Sequence, residues 1–134
     1  MLIKSETDML EYGKKLGEKL KSPIVLELIG DVGVGKTTLV RGIARGLRVS
    51  SEITSPSFTI SKEYFGDKCR LVHYDFYRLG DPGLMADDLA ESIADSDTIT
   101  IIEWGDSIKN ILPANHQIIR IKYVDEKTRE LTEE

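Results

Sequence analysis

The stretch GDVGVGKTT at residues 30–38 limits this chain more than any other feature of its sequence. It satisfies the pattern G-x-x-x-x-G-K-S/T, with Gly30, Gly35, Lys36 and Thr37 at the fixed positions and Asp31, Val32, Gly33 and Val34 between them. Glycines let a backbone turn through conformations that a Cβ would block, so that successive N–H groups converge on phosphate oxygens. In such a loop the lysine reaches the β- and γ-phosphates and the hydroxyl after it ligates Mg²⁺. The flanks fit this reading. Residues 23–29, PIVLELI, are an apolar run suited to a buried strand. After the loop, Leu39, Val40, Ile43, Ala44 and Leu47 recur at helical spacing, with Arg41, Arg45 and Arg48 on the other face. Strand, loop and helix in that order predict a nucleoside triphosphate site in which residues 31–38, Thr38 included, touch the nucleotide.

With 134 residues the chain predicts one domain, and 40% apolar with 31% charged residues describes an ordinary globular protein. No stretch approaches the length of a membrane span, and the opening MLIKSETD lacks the apolar segment of a signal peptide, so no membrane association is expected. A lone cysteine, Cys69, forms no internal disulfide and fits a reducing cytoplasm. The formal net charge is −5, unevenly spread. Between Leu79 and Ile108 there is no Lys or Arg, while Asp81, Asp87, Asp88, Glu91, Asp95, Asp97, Glu103 and Asp106 all fall there. Such a face repels a phosphate backbone, so direct strong binding to nucleic acid is not expected. Most of these acids read as the solvated side of a helix.

Ser5-x-x-Asp8 resembles a capping box, and Met9, Gly13, Leu16 and Leu20 then form one stripe, which predicts a first helix over about residues 5–21. Residues 49–57 are turn-formers and hydroxyls. Residues 58–64 alternate like a strand, 65–68 supply a turn and 69–74 return, predicting an antiparallel hairpin over residues 58–75. Asp81-Pro82 reads as a helix N-cap followed by Pro, with Met85, Leu89 and Ile93 as the buried stripe of that helix. TITII at residues 98–102 predicts a fully buried strand, residues 118–124 a last strand and residues 125–134 a polar tail. The expected architecture is α/β, a P-loop fold with a mostly parallel central sheet and one antiparallel hairpin, flanked by helices.

Mg-nucleotide chemistry needs carboxylates beside the loop to hold the metal and to orient water. In open α/β sheets such groups sit at the carboxyl ends of strands. Two predicted strands end in acid, one at Asp75 and one at Glu103. Sequence alone does not say which holds Mg²⁺ and which polarises water. The loop Thr54-Ser55-Pro56-Ser57 lies where phosphate-loop proteins commonly sense the γ-phosphate. His73 reads as a structural strand residue and Arg78 as a surface arginine. Trp104, the only tryptophan, either covers the nucleotide site or packs at a strand end.

Together these blocks resemble the TsaE (YjeE) family of P-loop ATPases, which are needed for threonylcarbamoyladenosine formation in bacterial tRNA. GDVGVGKTT, SPSFT at 55–59, HYDFYRL at 73–79 and IEWGD at 102–106 stand in the family's order, and the resemblance runs from about Ser5 to Arg129. It implies that Lys36 and Thr37 bind ATP and Mg²⁺, that Asp75 is an acid near the metal, and that Glu103 is tied to Mg²⁺ and hydrolysis with Trp104 beside it. Ser55 to Phe58 resembles the nucleotide-sensing switch, and the implied partners are proteins resembling TsaB and TsaD. Ser57 stands where the family usually has Thr, Val32 and Val34 replace Leu and Ala, and Gly105 replaces a frequent Pro. Met9 sits where members often have Thr, and Arg129 falls near a late arginine. A small-molecule kinase and a nucleotide-gated binding module with incidental hydrolysis are the other functions weighed.

Overall fold

The run TITIIE forms a strand, Thr98–Glu103, in which every residue is buried. Such β-branched continuity suits a strand covered on both faces. In chain order the elements are β1 (Leu2–Ile3), α1 (Glu6–Lys19), β2 (Ile24–Ile29), α2 (Lys36–Gly46), β3 (Ser61–Phe65), β4 (Arg70–Asp75), α3 (Leu84–Ala94), β5 (Thr98–Glu103), β6 (Gln117–Tyr123) and β7 (Arg129–Glu133). The computed structural model describes residues 1–53, 60–77 and 83–134. The expected switch at Ser55 to Phe58, the first residues of the predicted hairpin, Arg78 and the Asp81-Pro82 cap lie outside the described residues.

Among the described residues one sheet of seven strands runs in the order β1-β7-β6-β2-β5-β4-β3. The middle strands β6, β2, β5 and β4 are parallel, as expected, and β3 returns antiparallel on β4. On the other edge, β7 pairs antiparallel with both β6 and β1. Alternation along the parallel strands divides the core in two. Leu26 and Leu28 of β2, Leu71 of β4, and Ile99 and Ile101 of β5 pack against Leu39, Val40 and Ile43 of α2. Val25, Val72, Tyr74 and Ile102 point the other way, toward Leu89 of α3.

The first helix starts as its sequence suggests. The Ser5 hydroxyl accepts from the Asp8 amide at 3.0 Å. The Asp8 carboxylate, in return, accepts from the Lys4 amide at 3.2 Å, one residue earlier than a capping box requires. The buried stripe of α1 is Met9, Gly13 and Gly17, whereas Leu16 and Leu20 are half-buried at its margin. Those glycines meet glycines. Gly13 faces Gly42, and Gly17 faces Gly46, so that α1 and α2 run side by side in the same direction with their backbones nearly touching. A Cβ placed on Gly42 would lie 2.5 Å from the Leu10 carbonyl oxygen.

Residues 125–134 do not form a polar tail. Arg129–Glu133 is a strand, registered from Ile119↔Glu133 to Tyr123↔Arg129 on β6. Its only apolar side chain, Leu131, is buried and joins the core beside Ile3. One apolar residue among RELTE gives almost no hydrophobic period, which is why composition reads as a tail. Backbone pairing on both sides supplies the missing order. The acidic helix face is also less idle than its composition suggests, since Asp88 accepts from the Tyr74 hydroxyl at 2.6 Å and Asp95 pairs with Arg70 at 3.0 Å.

The α1–α2 contact gives a test of sign. Gly to Ala inside a helix ordinarily gains about 1 kcal/mol from propensity. Gly42→Ala is expected instead to destabilise by about 1–3 kcal/mol, because the methyl must push two backbones apart. Equilibrium urea unfolding measures the difference, and a stabilised variant would contradict the close packing.

Candidate active site

Strand β2 ends at Ile29, and the chain turns through residues 30–35 into α2. The turn is possible because Gly33 and Gly35 take φ of 79° and 117°, values that L side chains rarely adopt. Gly35 caps α2 without any side-chain bond, leaving the first amides of the helix facing the loop. Amides left free in this way, at the positive end of a helix dipole, suit an anion.

Lys36 is 6% exposed although it is a lysine. Its ammonium donates to the Gly30 carbonyl, lies 3.5 Å from the Asp31 carbonyl, and sits 4.1 Å from the centre of the Trp104 ring. Burial pushes the Lys36 pKa down, while the charges of Glu103, Asp75 and Asp31 push it back up. Two of those acids belong to adjacent parallel strands. The register pairs Asp75 directly with Glu103, so both carboxylates emerge side by side at the carboxyl ends of β4 and β5, 8% and 4% exposed. Asp75 also accepts from the Tyr77 amide at 2.9 Å, and Glu103 is 2.5 Å from Nε2 of the fully buried His73.

These groups share one cleft of about 390 Å³. Of the residues expected at the site, Val32, Gly33, Gly35, Lys36, Thr37, Thr38, Asp75 and Glu103 line it. Asp31 is exposed and Val34 is buried, and neither lines it. Val34 instead lines an adjoining groove of about 560 Å³ between the start of α1 and the β6–β7 turn, which shares Gly33, Gly35 and Thr38 with the cleft. Met9, where no nucleotide contact is expected, is buried among core residues. A Cβ on Gly35 would sit 3.2 Å from its methyl.

Trp104 does both things the sequence leaves open. It packs on the core under α3 and also lines the cleft over Lys36. It holds a left-handed backbone, φ 57° and ψ 50°, directly after Glu103. Such strain in a non-glycine residue costs about 1–3 kcal/mol and persists where surrounding contacts enforce it. Here those contacts are the Lys36 ammonium and Tyr77, whose ring centre is 4.7 Å away.

Sequence reasoning missed the part played by Arg129. Its Nε donates to the Val34 carbonyl at 3.0 Å, and Nη1 donates to the carbonyls of Asp125 and Thr128 at 2.6 and 3.1 Å. The guanidinium also lies 4.8 Å from the centre of the Tyr123 ring. One side chain therefore ties the β6–β7 turn to the glycine loop. The alternation of Arg129 and Leu131 against Glu130 and Thr132 is the signal that could have revealed the strand carrying it.

Comparison with known proteins points in one direction. The family model described as threonylcarbamoyl adenosine biosynthesis protein TsaE matches residues 3–131. The tRNA threonylcarbamoyladenosine biosynthesis protein TsaE of Haemophilus influenzae is 35% identical over 129 residues, covering 92% of this chain and 82% of that protein. The protein of the same name from Treponema pallidum is 33% identical, covering 96% and 95%. The crystal structure of Bacillus subtilis YdiB superposes with a TM-score of 0.81 at 30% identity, covering 98% of this chain and 80% of that one.

The Arg129 tie is open to direct measurement. Arg129→Ala is expected to speed amide hydrogen exchange at residues 31–35 about tenfold, since a hydrogen bond from a charged group contributes about 1.5 kcal/mol. Exchange in the middle of β5 should not change. Equal rates in the loop before and after substitution would show that the arginine does not hold it.

Proposed function

The chain belongs to the TsaE family, proteins of tRNA threonylcarbamoyladenosine biosynthesis, and on that premise we propose that it is a Mg-dependent ATPase acting on partner proteins of that machinery. The observation that carries the proposal is the convergence of Lys36, Thr37, Asp75 and Glu103 on one cleft at the mouth of a glycine loop. The loop amides and the start of α2 would hold the β- and γ-phosphates. Lys36 would exchange its bond to the Gly30 carbonyl for phosphate oxygens, a stronger charge-assisted partner. The adjoining groove beside Ser5, Met9 and Arg129 would take the nucleoside.

The donors at the cleft suit magnesium. Thr37, Asp75 and Glu103 offer a hydroxyl and two carboxylates, all hard oxygen ligands. Among the described residues no group of three His, Cys, Asp or Glu converges into a complete metal cage. That matches an ion bound through a few side chains together with substrate phosphates. When bound, Mg²⁺ would neutralise charge building on the phosphate oxygens. The chain's own part is to place the triphosphate, exclude water with Trp104 and Tyr77, and orient an attacking water with a carboxylate. Glu103 is the better candidate for that last task, because a fully buried strand and a histidine hold it.

Hydrolysis would serve to reset protein partners resembling TsaB and TsaD. The kinase reading has less support, since among the described residues no arginine lines the cleft to clamp a transferred phosphoryl group. No helix among the described residues is long and apolar enough to cross a membrane.

Lys36→Ala is expected to abolish tight ATP binding, whereas Thr37→Ala should chiefly weaken the Mg²⁺-dependent step. Titration with a non-hydrolysable analogue, with and without Mg²⁺, separates the two, and unchanged affinity and turnover in both variants would refute the phosphate-loop assignment.

Asp75→Asn and Glu103→Gln should each lower ATP hydrolysis at least tenfold, given that positioned acid–base groups contribute roughly 10²-fold or more. Affinity for the analogue should fall much less, and Glu103→Gln should be the more damaging. Steady-state turnover with the partner proteins present is the assay. Normal rates in both variants would leave the two acids as ordinary strand ends.

A further inference from the structure

Among the described residues, His73 is a buried ionisable side chain beside the cleft that the proposed reaction does not use. It is 0% exposed, two residues before Asp75 on the same face of β4, and it does not line the cleft. Its register partner on β5 is Ile101, so Glu103 is its diagonal neighbour. Nε2 reaches Oε2 of Glu103 at 2.5 Å. The other ring nitrogen, Nδ1, is buried with no hydrogen-bond partner among the described residues.

That unpaired nitrogen is informative. A buried polar atom without a partner costs about 1–3 kcal/mol, so packing alone would favour an aliphatic residue at this point in the sheet. The molecule's other histidine–glutamate contact, half-buried at its histidine, is built differently. His116 places Nε2 3.0 Å from Glu27 and Nδ1 2.7 Å from the Pro113 carbonyl, so both of its nitrogens are engaged. His116 is a fully bonded cross-link between β2 and the loop before β6. His73 bonds one atom only, and that atom is on a cleft carboxylate.

We propose that His73 is a positioning residue: its Nε2–H fixes the Oε2 end of the Glu103 carboxylate and leaves Oε1 for the chemistry in the cleft. The inference rests on the hydrolytic reading of Glu103 given above. A glutamate side chain has three rotatable bonds, and an exposed one samples many rotamers. A donor held rigidly inside the sheet removes that freedom at the oxygen it bonds. With a carboxylate oxygen at Nε2 and no partner at Nδ1, the hydrogen-bonding pattern assigns the tautomer with its hydrogen on Nε2, a donor held in place by the sheet. Displacing a reacting group by about 1 Å can cost roughly 10²-fold in rate. His73 acts through Glu103, so its loss should appear in kcat and spare the affinity for nucleotide.

Two amide substitutions separate this role from packing. Gln places its side-chain nitrogen near the position of Nε2, whereas Asn places it near Nδ1, the end that bonds nothing. His73→Gln is expected to keep kcat for ATP within about threefold of the parent, and His73→Asn to lower it about 10- to 100-fold. KM should change less than about twofold in either. His73→Leu, which fills the space with no donor, should behave like His73→Asn and serves in its place if the Asn variant folds poorly. Crystal structures of the nucleotide-free variants give a readout independent of turnover. The Gln amide should bond Oε2 of Glu103, and in the Asn or Leu variant the carboxylate should leave its position. Adding His73→Asn to Glu103→Gln should cost little beyond Glu103→Gln alone, because both act on one group. If Glu103→Gln itself turns over normally, the hydrolytic reading of the cleft fails. If Glu103→Gln is impaired but His73→Asn and His73→Leu keep full kcat, or His73→Gln falls as far as they do, the positioning role is overturned.

Discussion

The parallel pairing of β5 with β2 on one side and β4 on the other is the constraint on which everything at the cleft depends. Strand side chains alternate between faces, so a slip of one residue in either ladder would send every buried group to the opposite face. In the observed register Leu28 lies beside Glu103 and Glu103 beside Asp75. The last carboxylates of two strands therefore stand next to the loop that leaves the third. The same register puts Ile99 and Ile101 under α2, so hydrophobic burial enforces the alignment that the polar groups need. Without that apolar cost of slippage, two buried carboxylates would repel each other out of register.

The glycine loop at residues 30–35 is held from three directions. Below it, Met9 packs near Gly35, and α1 presses on α2 so closely that only glycine fits at the contact. On the outer side Arg129 bonds the Val34 carbonyl. Over Lys36 lies Trp104, kept in a strained backbone conformation by its ring contacts. A buried ammonium needs such company. Its own loop carbonyl, an indole face and three nearby acids offset the loss of water, although burial still lowers its pKa. On the proposed reading, the loop is shaped in advance, and binding exchanges one set of partners for another with little reordering of backbone.

Much of this was legible in the amino-acid order, and the reason is local. Continuous apolar runs marked β2 and β5, which are buried on both faces, and apolar residues at helical spacing marked α2 and α3. The hairpin β3–β4 was visible from its turn residues, and the cleft acids from their place at the ends of apolar runs. Where burial is carried by few atoms, that signal fades. β1 has two residues and β7 one apolar side chain, so neither leaves a period to read. The glycine contact between α1 and α2 was only half visible: Gly13 fell on the expected stripe of α1, whereas Gly17, Gly42 and Gly46 have no side chain to add to one.

The sequence by itself determined the glycine loop, the apolar runs of the central strands and the two acids that end strands β4 and β5. Those are properties of consecutive residues, set by backbone freedom, side-chain volume and spacing. Only the tertiary structure decided that Asp75 and Glu103 stand side by side, that Arg129 reaches the loop from a strand 95 residues later, and that His73 lies under Glu103 with one nitrogen unpaired. Each of those depends on which strands become neighbours and in what register. That choice is made by the summed burial of the whole sheet, and no single segment records it.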